Sequence, residues 1–264
     1  MPRFSANLDM LFSELPFRTR FSAARMAGFD HVDLFFPDDN DFSQTAAELT
    51  ANNLQLTVIS APSGDRDSGE EGVACRRGYE AVFDTAIEQS IKVADALGCN
   101  MINVIIGRID PTVTGAEAMQ TLVANLARVC EMARSNGKTL LIEPRNTRDH
   151  PGYFLSRTDD ALRVIELVGA ENLRLLLDLY HRQIMEGDLA QALYACRDVL
   201  GHIQIGNPPL RSRPDHGEIN YSFLFELIDE LGYEGYVGCA YNAAGSTREN
   251  LAWMAPYRKD RVVA

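Results

Sequence analysis

Two short apolar runs in the chain each end in an acidic residue, and these acids are the first candidates for chemistry. Residues 140–142 lead into Glu143 and Pro144, and residues 175–177 lead into Asp178. Such runs are typical of buried strands, and a proline ends one because it cannot donate to a sheet ladder. Parallel α/β folds place their chemistry at the carboxyl ends of strands. One acid in this setting is often only a helix cap or an ion-pair partner, but two indicate a metal or proton-transfer site.

His181 and Gln204 extend this group of candidates. His181 follows Asp178 by three residues, and Gln204 lies near the end of a later apolar run. Carboxylate and amide oxygens are hard ligands, which favour Mg²⁺ or Mn²⁺ over a thiolate-type zinc site. His181 is placed to hydrogen-bond to a substrate oxygen, and the alternative is a core histidine satisfied by the backbone.

Several arginines follow predicted strand ends and are candidates to bind a substrate carboxylate. They are Arg108, Arg145, Arg148 and Arg211. A guanidinium matches a carboxylate with two parallel hydrogen bonds. For each arginine the alternative is a solvated surface charge. Asp33, within a predicted strand, is expected to point into the core, where it would need a partner.

The elements that must position these residues alternate regularly along the chain. Strands are predicted at residues 3–7, 31–36, 55–60, 101–106, 140–142, 173–178, 202–205 and 236–240. Helices are predicted at residues 17–27, 42–52, 79–97, 116–135, 158–168, 189–200, 221–231 and 247–254. Eight β–α units without a linker or repeat predict an α/β fold of the (β/α)₈ TIM-barrel type, as one domain spanning residues 1–264.

One long segment interrupts this alternation. Residues 61–77 are rich in Gly, Asp and Ser and have no periodicity. Loops of this length inside compact domains are commonly functional, so the segment is expected to be a lid that covers a bound substrate.

Composition excludes several classes of function. The formal net charge of −12 argues against a nucleic-acid surface, which carries a basic patch. No apolar run reaches the ~18 residues of a membrane span, no leader sequence is recognisable, and neither a Gly-x-Gly-x-x-Gly nor a Walker motif is present. The 5 cysteines are scattered without a Cys-x-x-Cys pair. We therefore expect reduced thiols and a cytoplasmic protein without a membrane or nucleic-acid partner.

Motifs spread over nearly the whole chain carry a family resemblance. They are RFSANLDMLF (3–12), LIEP (141–144) with Asn146, DLYH (178–181), MEG (185–187), GHIQ (201–204), GEINY (217–221) and YVGC (236–239). With these motifs the sequence resembles the hydroxypyruvate isomerase family of the xylose-isomerase-like barrels, whose relatives include 2-oxo-tetronate isomerases and ketose 3-epimerases.

The resemblance implies an aldose–ketose isomerase acting on a small hydroxy-oxo acid or ketose. It implies a divalent metal, Mg²⁺ or Mn²⁺, held by Glu143, Asp178 and Gln204, with His181 and Arg211 near the substrate. Arg108 is added as a substrate-binding candidate from its place after a predicted strand. In such a reaction the metal polarises the carbonyl while carboxylates move a proton between adjacent carbons of an enediol.

The chain departs from the family pattern at one important position. The family motif at the eighth strand is Gly-Cys-Glu-Tyr, in which the glutamate is a metal ligand and a catalytic carboxylate, whereas this chain has Ala240. The chain is then either an inactivated variant of an active enzyme or a natural paralogue that has changed or lost the reaction.

The rival functions are a non-catalytic sugar- or hydroxy-acid-binding protein, a ketose 3-epimerase and a nuclease of the endonuclease IV type. The nuclease would need a richer set of histidine and acidic ligands and a basic groove. A homo-oligomer is compatible with the sequence, which does not fix the oligomeric state.

Overall fold

Eight parallel strands close into a barrel in the computed structural model of the chain, which describes residues 1–37, 42–62, 64 and 71–257. The strands are β1 (Arg3–Asn7), β2 (His31–Leu34), β3 (Gln55–Ser60), β4 (Met101–Val104), β5 (Thr139–Ile142), β6 (Leu173–Asp178), β7 (Leu200–Ile205) and β8 (Tyr236–Cys239). Each strand pairs in parallel with the next, and β8 pairs with β1 to close the ring. The predicted (β/α)₈ TIM barrel is confirmed.

Helices surround this barrel. They are α1 (Phe17–Met26), α2 (Phe42–Ala51), α3 (Glu80–Ala96), α4 (Gly115–Ser135), α5 (Thr158–Val168), α6 (Leu179–Met185), α7 (Leu189–Cys196) and α8 (Tyr221–Glu230), with a 3₁₀ helix at Glu249–Tyr257. None of the described helices is long and apolar enough to cross a membrane.

The largest differences from the predicted elements lie at their carboxyl ends. The strand predicted for residues 101–106 ends at Val104, because Ile106 instead accepts from Cys75 N and donates its own N–H to the Tyr153 hydroxyl. The helix predicted for residues 189–200 ends at Cys196, and Leu200 already belongs to β7. Helix α6 was not predicted. It is short, and Asp178 caps it by accepting from Tyr180 N at 2.8 Å.

The inside of the barrel has an apolar half and a polar half. Val58, Leu141 and Leu176 form a buried cluster of their own, separate from the large core between barrel and helices. Across from them Asp33 Oδ2 accepts from Ser5 Oγ at 3.0 Å and lies 3.2 Å from His202 Nε2. Asp33 therefore has the buried partner that its sequence position called for.

This inward-facing layer determines which residues line the mouth of the barrel. Side chains alternate between the two faces of a strand, so the next inward position lies two residues further on. The inward position after Leu141 is therefore Glu143, and the one after Leu176 is Asp178. Likewise, the inward position after His202 is Gln204, and the one after Gly238 is Ala240. All four residues are consequently at the carboxyl ends of their strands and directed inward.

Candidate functional site

The two candidate acids lie beside each other at the mouth of the barrel and are almost completely buried. Glu143 follows β5 and is 3% exposed, and Asp178 ends β6 and is 1% exposed. Gln204, paired in register with Asp178 across β6 and β7, is 8% exposed. The sequence-predicted ligands are thus brought to one place.

One oxygen of Glu143 is committed to hydrogen bonds and the other faces the site. Oε2 accepts from Asn103 Nδ2 at 2.9 Å and from Arg145 Nη2 at 2.8 Å. Oε1 lies 3.6 Å from His181 Nε2. Burial alone raises the pKa of the Glu143 carboxyl and the Arg145 charge lowers it, and the pKa lies below its usual range. The group is therefore ionised at neutral pH and keeps one oxygen for chemistry.

Asp178 is held between a helix end and an arginine. Its Oδ1 caps α6, and its Oδ2 pairs closely with Arg211 Nη2 and lies 3.8 Å from His181 Nε2. Arg211 also donates from Nε to the Ala240 carbonyl at 2.7 Å. Its backbone has a left-handed φ of 54°, so the guanidinium is directed back into the barrel mouth.

His181 is buried between the two acids and has side-chain partners on both ring nitrogens. Nδ1 lies 2.6 Å from Asn146 Nδ2, and Nε2 lies 3.1 Å from Arg211 Nη1. Burial and the Arg211 charge lower the pKa of His181 well below its usual value. The ring is therefore neutral at physiological pH, and it is a member of the site instead of a core histidine satisfied only by the backbone.

These residues fit a hard divalent cation. Glu143, Asp178 and His181 each offer a ligand atom, and these atoms all lie within 4.8 Å of one another. Gln204, which is 8% exposed, adds an amide oxygen. Two carboxylates with an amide oxygen match the preference of Mg²⁺ or Mn²⁺ for oxygen. His181 was expected beside the substrate, and the geometry also admits it as a metal ligand.

Ala240 occupies another inward position at the mouth. The residue is 1% exposed, its N–H donates to Ile205 O at 3.1 Å, and its carbonyl accepts from Arg211. The methyl side chain offers neither a ligand atom nor a titratable proton. A glutamate at this position would face the same space as Glu143, Asp178 and Gln204.

The other candidate arginines lie at the rim of the barrel. Arg108 is 46% exposed at its side chain and pairs with Glu71 at 3.2 Å, and Glu71 also contacts His150 Nδ1 at 3.2 Å. Arg148 donates to the Tyr180 hydroxyl at 3.1 Å. Of the arginines singled out from the sequence, Arg145 and Arg211 reach the acids. The centre of the expected lid, residues 63 and 65–70, lies outside the described residues.

Sequence reasoning assigned no role at the site to three polar residues that support it, although Asn146 was named as part of a family motif. Asn103 holds Glu143, Asn146 holds His181, and Asp149 Oδ2 in turn accepts from Asn146 Nδ2 at 3.0 Å. Asn103 carried a usable signal, because it is a polar residue at an inward position of an otherwise apolar strand. The other two lie in a loop where no periodicity indicates direction.

Comparison with known proteins identifies relatives along almost the entire chain. Residues 21–257 match the family described as "Xylose isomerase-like TIM barrel". A 2-oxo-tetronate isomerase of Cupriavidus necator is 43% identical over 259 residues, covering 97% of this chain and 99% of that protein. A hydroxypyruvate isomerase of Escherichia coli is 41% identical over 258 residues, covering 98% and 100%.

A solved structure extends the likeness to three dimensions. The crystal structure described as AP endonuclease, family 2, from Brucella melitensis superposes with a TM-score of 0.95 at 39% identity. It covers 98% of this chain and 100% of that one. The resemblance to the hydroxypyruvate isomerase family seen in the sequence is thereby confirmed.

Proposed function

This chain belongs to the xylose isomerase-like TIM-barrel family, and we propose that within it the chain is an isomerase of small hydroxy-oxo acids. The substrate class is that of hydroxypyruvate and 2-oxo-tetronate, on which the named relatives act. The observation that carries the proposal is the buried Glu143 with one oxygen free, next to Asp178 and His181 at the barrel mouth.

Glu143 is the base of this reaction. Its Oε1 removes the proton from the carbon that bears the hydroxyl group, which leaves an enediol, and returns it to the neighbouring carbon. The hydroxyl proton moves between the two oxygens, so that hydroxyaldehyde and hydroxyketone interconvert without an external oxidant. Arg145 keeps Glu143 ionised, since it favours the charged form of a buried carboxyl.

His181 and Arg211 bind the substrate in this scheme. Neutral His181 hydrogen-bonds to a substrate oxygen, and the Arg211 guanidinium binds a carboxylate. Glu143, Asp178 and Gln204 would hold a divalent cation, which when bound polarises the carbonyl and stabilises the negative charge of the enediol. Mg²⁺ and Mn²⁺ both suit this ligand set.

The charges of the site suggest that this cation binds weakly. Glu143 and Asp178 are already paired with Arg145 and Arg211, so the buried acids are neutralised before any metal arrives. A glutamate at residue 240 would add a negative charge and a second proton-transfer group. We therefore propose that Ala240 reduces both metal affinity and turnover.

The nuclease alternative has less support. The Brucella melitensis structure carries an endonuclease description, but a nuclease must bind a polyanion, and this chain has a net charge of −12. A site that encloses two arginine-paired acids suits a small anionic substrate better.

Turnover of hydroxypyruvate, 2-oxo-tetronates and a panel of ketoses with Mg²⁺ and Mn²⁺ tests the proposal. We expect weak isomerase activity in the chain as it stands and an increase of at least about tenfold in Ala240→Glu, because a positioned acid–base group typically contributes ~10²–10⁴-fold. Mn²⁺ affinity should rise in the same variant.

Two controls make this comparison specific. Ala244→Glu adds the same charge at an exposed position near the mouth and should change nothing. Glu143→Gln should abolish turnover in either background. Full activity that Ala240→Glu does not improve would contradict the assigned role of residue 240. Binding without turnover in both forms would identify a binding protein.

A further inference from the structure

The protonation state of His181 can be determined from its neighbours. A neutral imidazole carries one proton, so one ring nitrogen donates a hydrogen bond and the other accepts. Which nitrogen carries the proton is set by the partner of the other nitrogen. In this site the choice decides the chemistry, since Nε2 is the atom that faces Glu143 Oε1 and Asp178 Oδ2.

Nδ1 of His181 faces hydrogen-bond donors. Asn146 approaches it with Nδ2 at 2.6 Å and with its backbone N at 3.3 Å. The backbone group is a donor in any case. The side-chain group is a donor only if the Asn146 amide is oriented with its nitrogen toward the ring.

Asp149 fixes that orientation from the other side. Its backbone N–H donates to Asn146 Oδ1 at 2.8 Å, and its Oδ2 accepts from Asn146 Nδ2 at 3.0 Å. If the Asn146 amide were flipped, its NH₂ group would face the Asp149 backbone N–H and its oxygen would face Asp149 Oδ2. Both contacts would be repulsive. Asp149 itself is held by the Tyr180 hydroxyl, which donates to Oδ2 at 2.7 Å.

The contact on the opposite nitrogen is the weaker constraint. Arg211 Nη1 lies 3.1 Å from Nε2, and a guanidinium can only donate. His181 cannot accept at both nitrogens. Asn146 presents two N–H donors to Nδ1, one from its side chain and one from its backbone. Arg211 presents one donor to Nε2 and has two other acceptors, Asp178 Oδ2 and the Ala240 carbonyl. The two donors therefore favour the arrangement in which the Nδ1 lone pair faces Asn146.

We propose that Asn146, locked by Asp149, is a positioning residue that holds His181 in the tautomer with its proton on Nε2. His181 then donates a hydrogen bond from Nε2 into the site and has no lone pair there for a metal. The geometric cluster of Glu143, Asp178 and His181 therefore divides into two ligands and one donor. The donor's target, a carbonyl or hydroxyl oxygen of the substrate, rests on the proposed function; the tautomer does not.

The tautomer can be read directly by NMR on protein labelled with ¹⁵N-histidine, without metal or substrate. The chain has only 5 histidines, and the signals of residue 181 are identified by their loss in His181→Gln. At a pH where the ring is neutral, we expect a protonated, pyrrole-type Nε2 and an unprotonated, pyridine-type Nδ1. The opposite pattern would overturn the proposal, whatever the activity of the protein.

Asn146→Asp should exchange the protonated and unprotonated ring nitrogens of His181. A carboxylate accepts from Nδ1, so the proton should move to Nδ1 and leave the Nε2 lone pair facing Glu143 and Asp178. We expect kcat/KM, measured in the Ala240→Glu background, to fall at least about tenfold, in the range of supporting-residue substitutions. Mn²⁺ affinity, measured by calorimetry, should rise at the same time because the cation gains a ligand.

The matched control is Thr147→Asp, which adds the same charge at the exposed neighbouring position. It should leave the His181 tautomer and Mn²⁺ affinity unchanged. If Thr147→Asp raised Mn²⁺ affinity as much as Asn146→Asp, the gain would come from charge alone and the reversal of the lock would be refuted. If Asn146→Asp does not fold, the His181 tautomer measured in the wild-type protein decides by itself whether the proposal holds.

The proposed isomerase reaction fails separately. If Nε2 is pyrrole-type but the chain turns over no hydroxy-oxo acid, even with Ala240→Glu, the proposed tautomer stands and the proposed reaction is refuted. If Nδ1 is pyrrole-type in a chain that is an active isomerase, the proposed reaction stands and the proposed tautomer is refuted.

Discussion

Arg211 and the proposed divalent cation would compete for the same oxygen of Asp178. In this structure Oδ2 pairs with the Arg211 guanidinium, and Oδ1 is occupied by the capping hydrogen bond from Tyr180 N. If the proposed cation bound Asp178 through Oδ2, it would compete with the guanidinium for that oxygen. Arg211 would then be available to bind a substrate carboxylate, so that metal binding would prepare the site for an anionic substrate.

We expect Arg211→Gln to bind Mn²⁺ at least about tenfold more tightly, since removing a nearby positive charge from a buried site is worth ~1.4 kcal/mol or more. KM for a hydroxy-oxo acid should rise in the same variant. Calorimetry and steady-state kinetics measure the two effects. Arg148→Gln is the control, because Arg148 contacts the Tyr180 hydroxyl and Asp149 but neither Glu143 nor Asp178. Unchanged Mn²⁺ affinity in Arg211→Gln would exclude the competition.

At the scale of elements, β8 fits against its neighbours through a position that only glycine can fill. A Cβ on Gly238 would collide with Asp33 Oδ2 and His202 Nε2 and would crowd Gln204 Cγ. Each of these three atoms belongs to the polar half of the barrel interior or to the candidate metal site. Gly238 therefore couples the seam between β7 and β8 to the alignment of Gln204.

Gly238→Ala should destabilise the fold by about 1–3 kcal/mol, the usual range for overpacking a well-packed interior. Urea unfolding followed by circular dichroism measures this loss. Gly115→Ala is the matched control, because nothing lies within 4 Å of the added Cβ and its backbone has no left-handed φ. If Gly238→Ala were as stable as the parent chain, the neighbouring side chains would accommodate the added methyl group without a loss of stability, and the prediction would be wrong.

The elements themselves were largely predictable from the sequence, whereas their contacts were not. Apolar runs located every strand, and the position of Glu143 and Asp178 at the carboxyl ends of two of these runs placed both acids at the mouth. Helix α6 was missed because a helix cap was weighed only as the alternative to a functional role, whereas Asp178 caps α6 and also lies at the site. The pairing of Arg145 and Arg211 with the acids depends on side-chain torsions and on a loop that reverses direction, which no sequence period encodes.

At the scale of the whole molecule, two buried groups make stability depend on pH in the same direction. The pKa of His181 is lowered by burial and by Arg211. Near pH 6.5 this histidine therefore binds a proton in the unfolded chain but not in the folded chain. Burial raises the pKa of Glu143 and the Arg145 charge lowers it, with a net shift downward, so below its ordinary 4.5 the unfolded chain again binds more protons. The folded state is favoured above these values and loses stability as the pH falls.

We expect the free energy of unfolding to begin to decline as the pH falls below about 6.5, with a slope of up to ~1.4 kcal/mol per pH unit from His181. Urea titrations between neutral and mildly acidic pH measure this slope. His181→Gln should flatten it, although the variant is less stable overall. His216→Gln, at an exposed histidine in a loop, should keep the slope. A slope that survives in His181→Gln would assign the pH dependence to other groups.

The closing seam of the barrel also sets the order in which the molecule can be made. β1 lies at residues 3–7 and pairs with β8 at residues 236–239. During synthesis, the edge of β1 that pairs with β8 therefore remains unpaired until nearly the whole chain has left the ribosome. An unpaired strand edge invites association with other chains, and contacts this distant in sequence form slowly. Residue 240 emerges directly after β8, so the mouth of the barrel is completed by the same event that covers this edge. A nascent or truncated chain that lacks β8 would therefore have an aggregation-prone edge and no formed site.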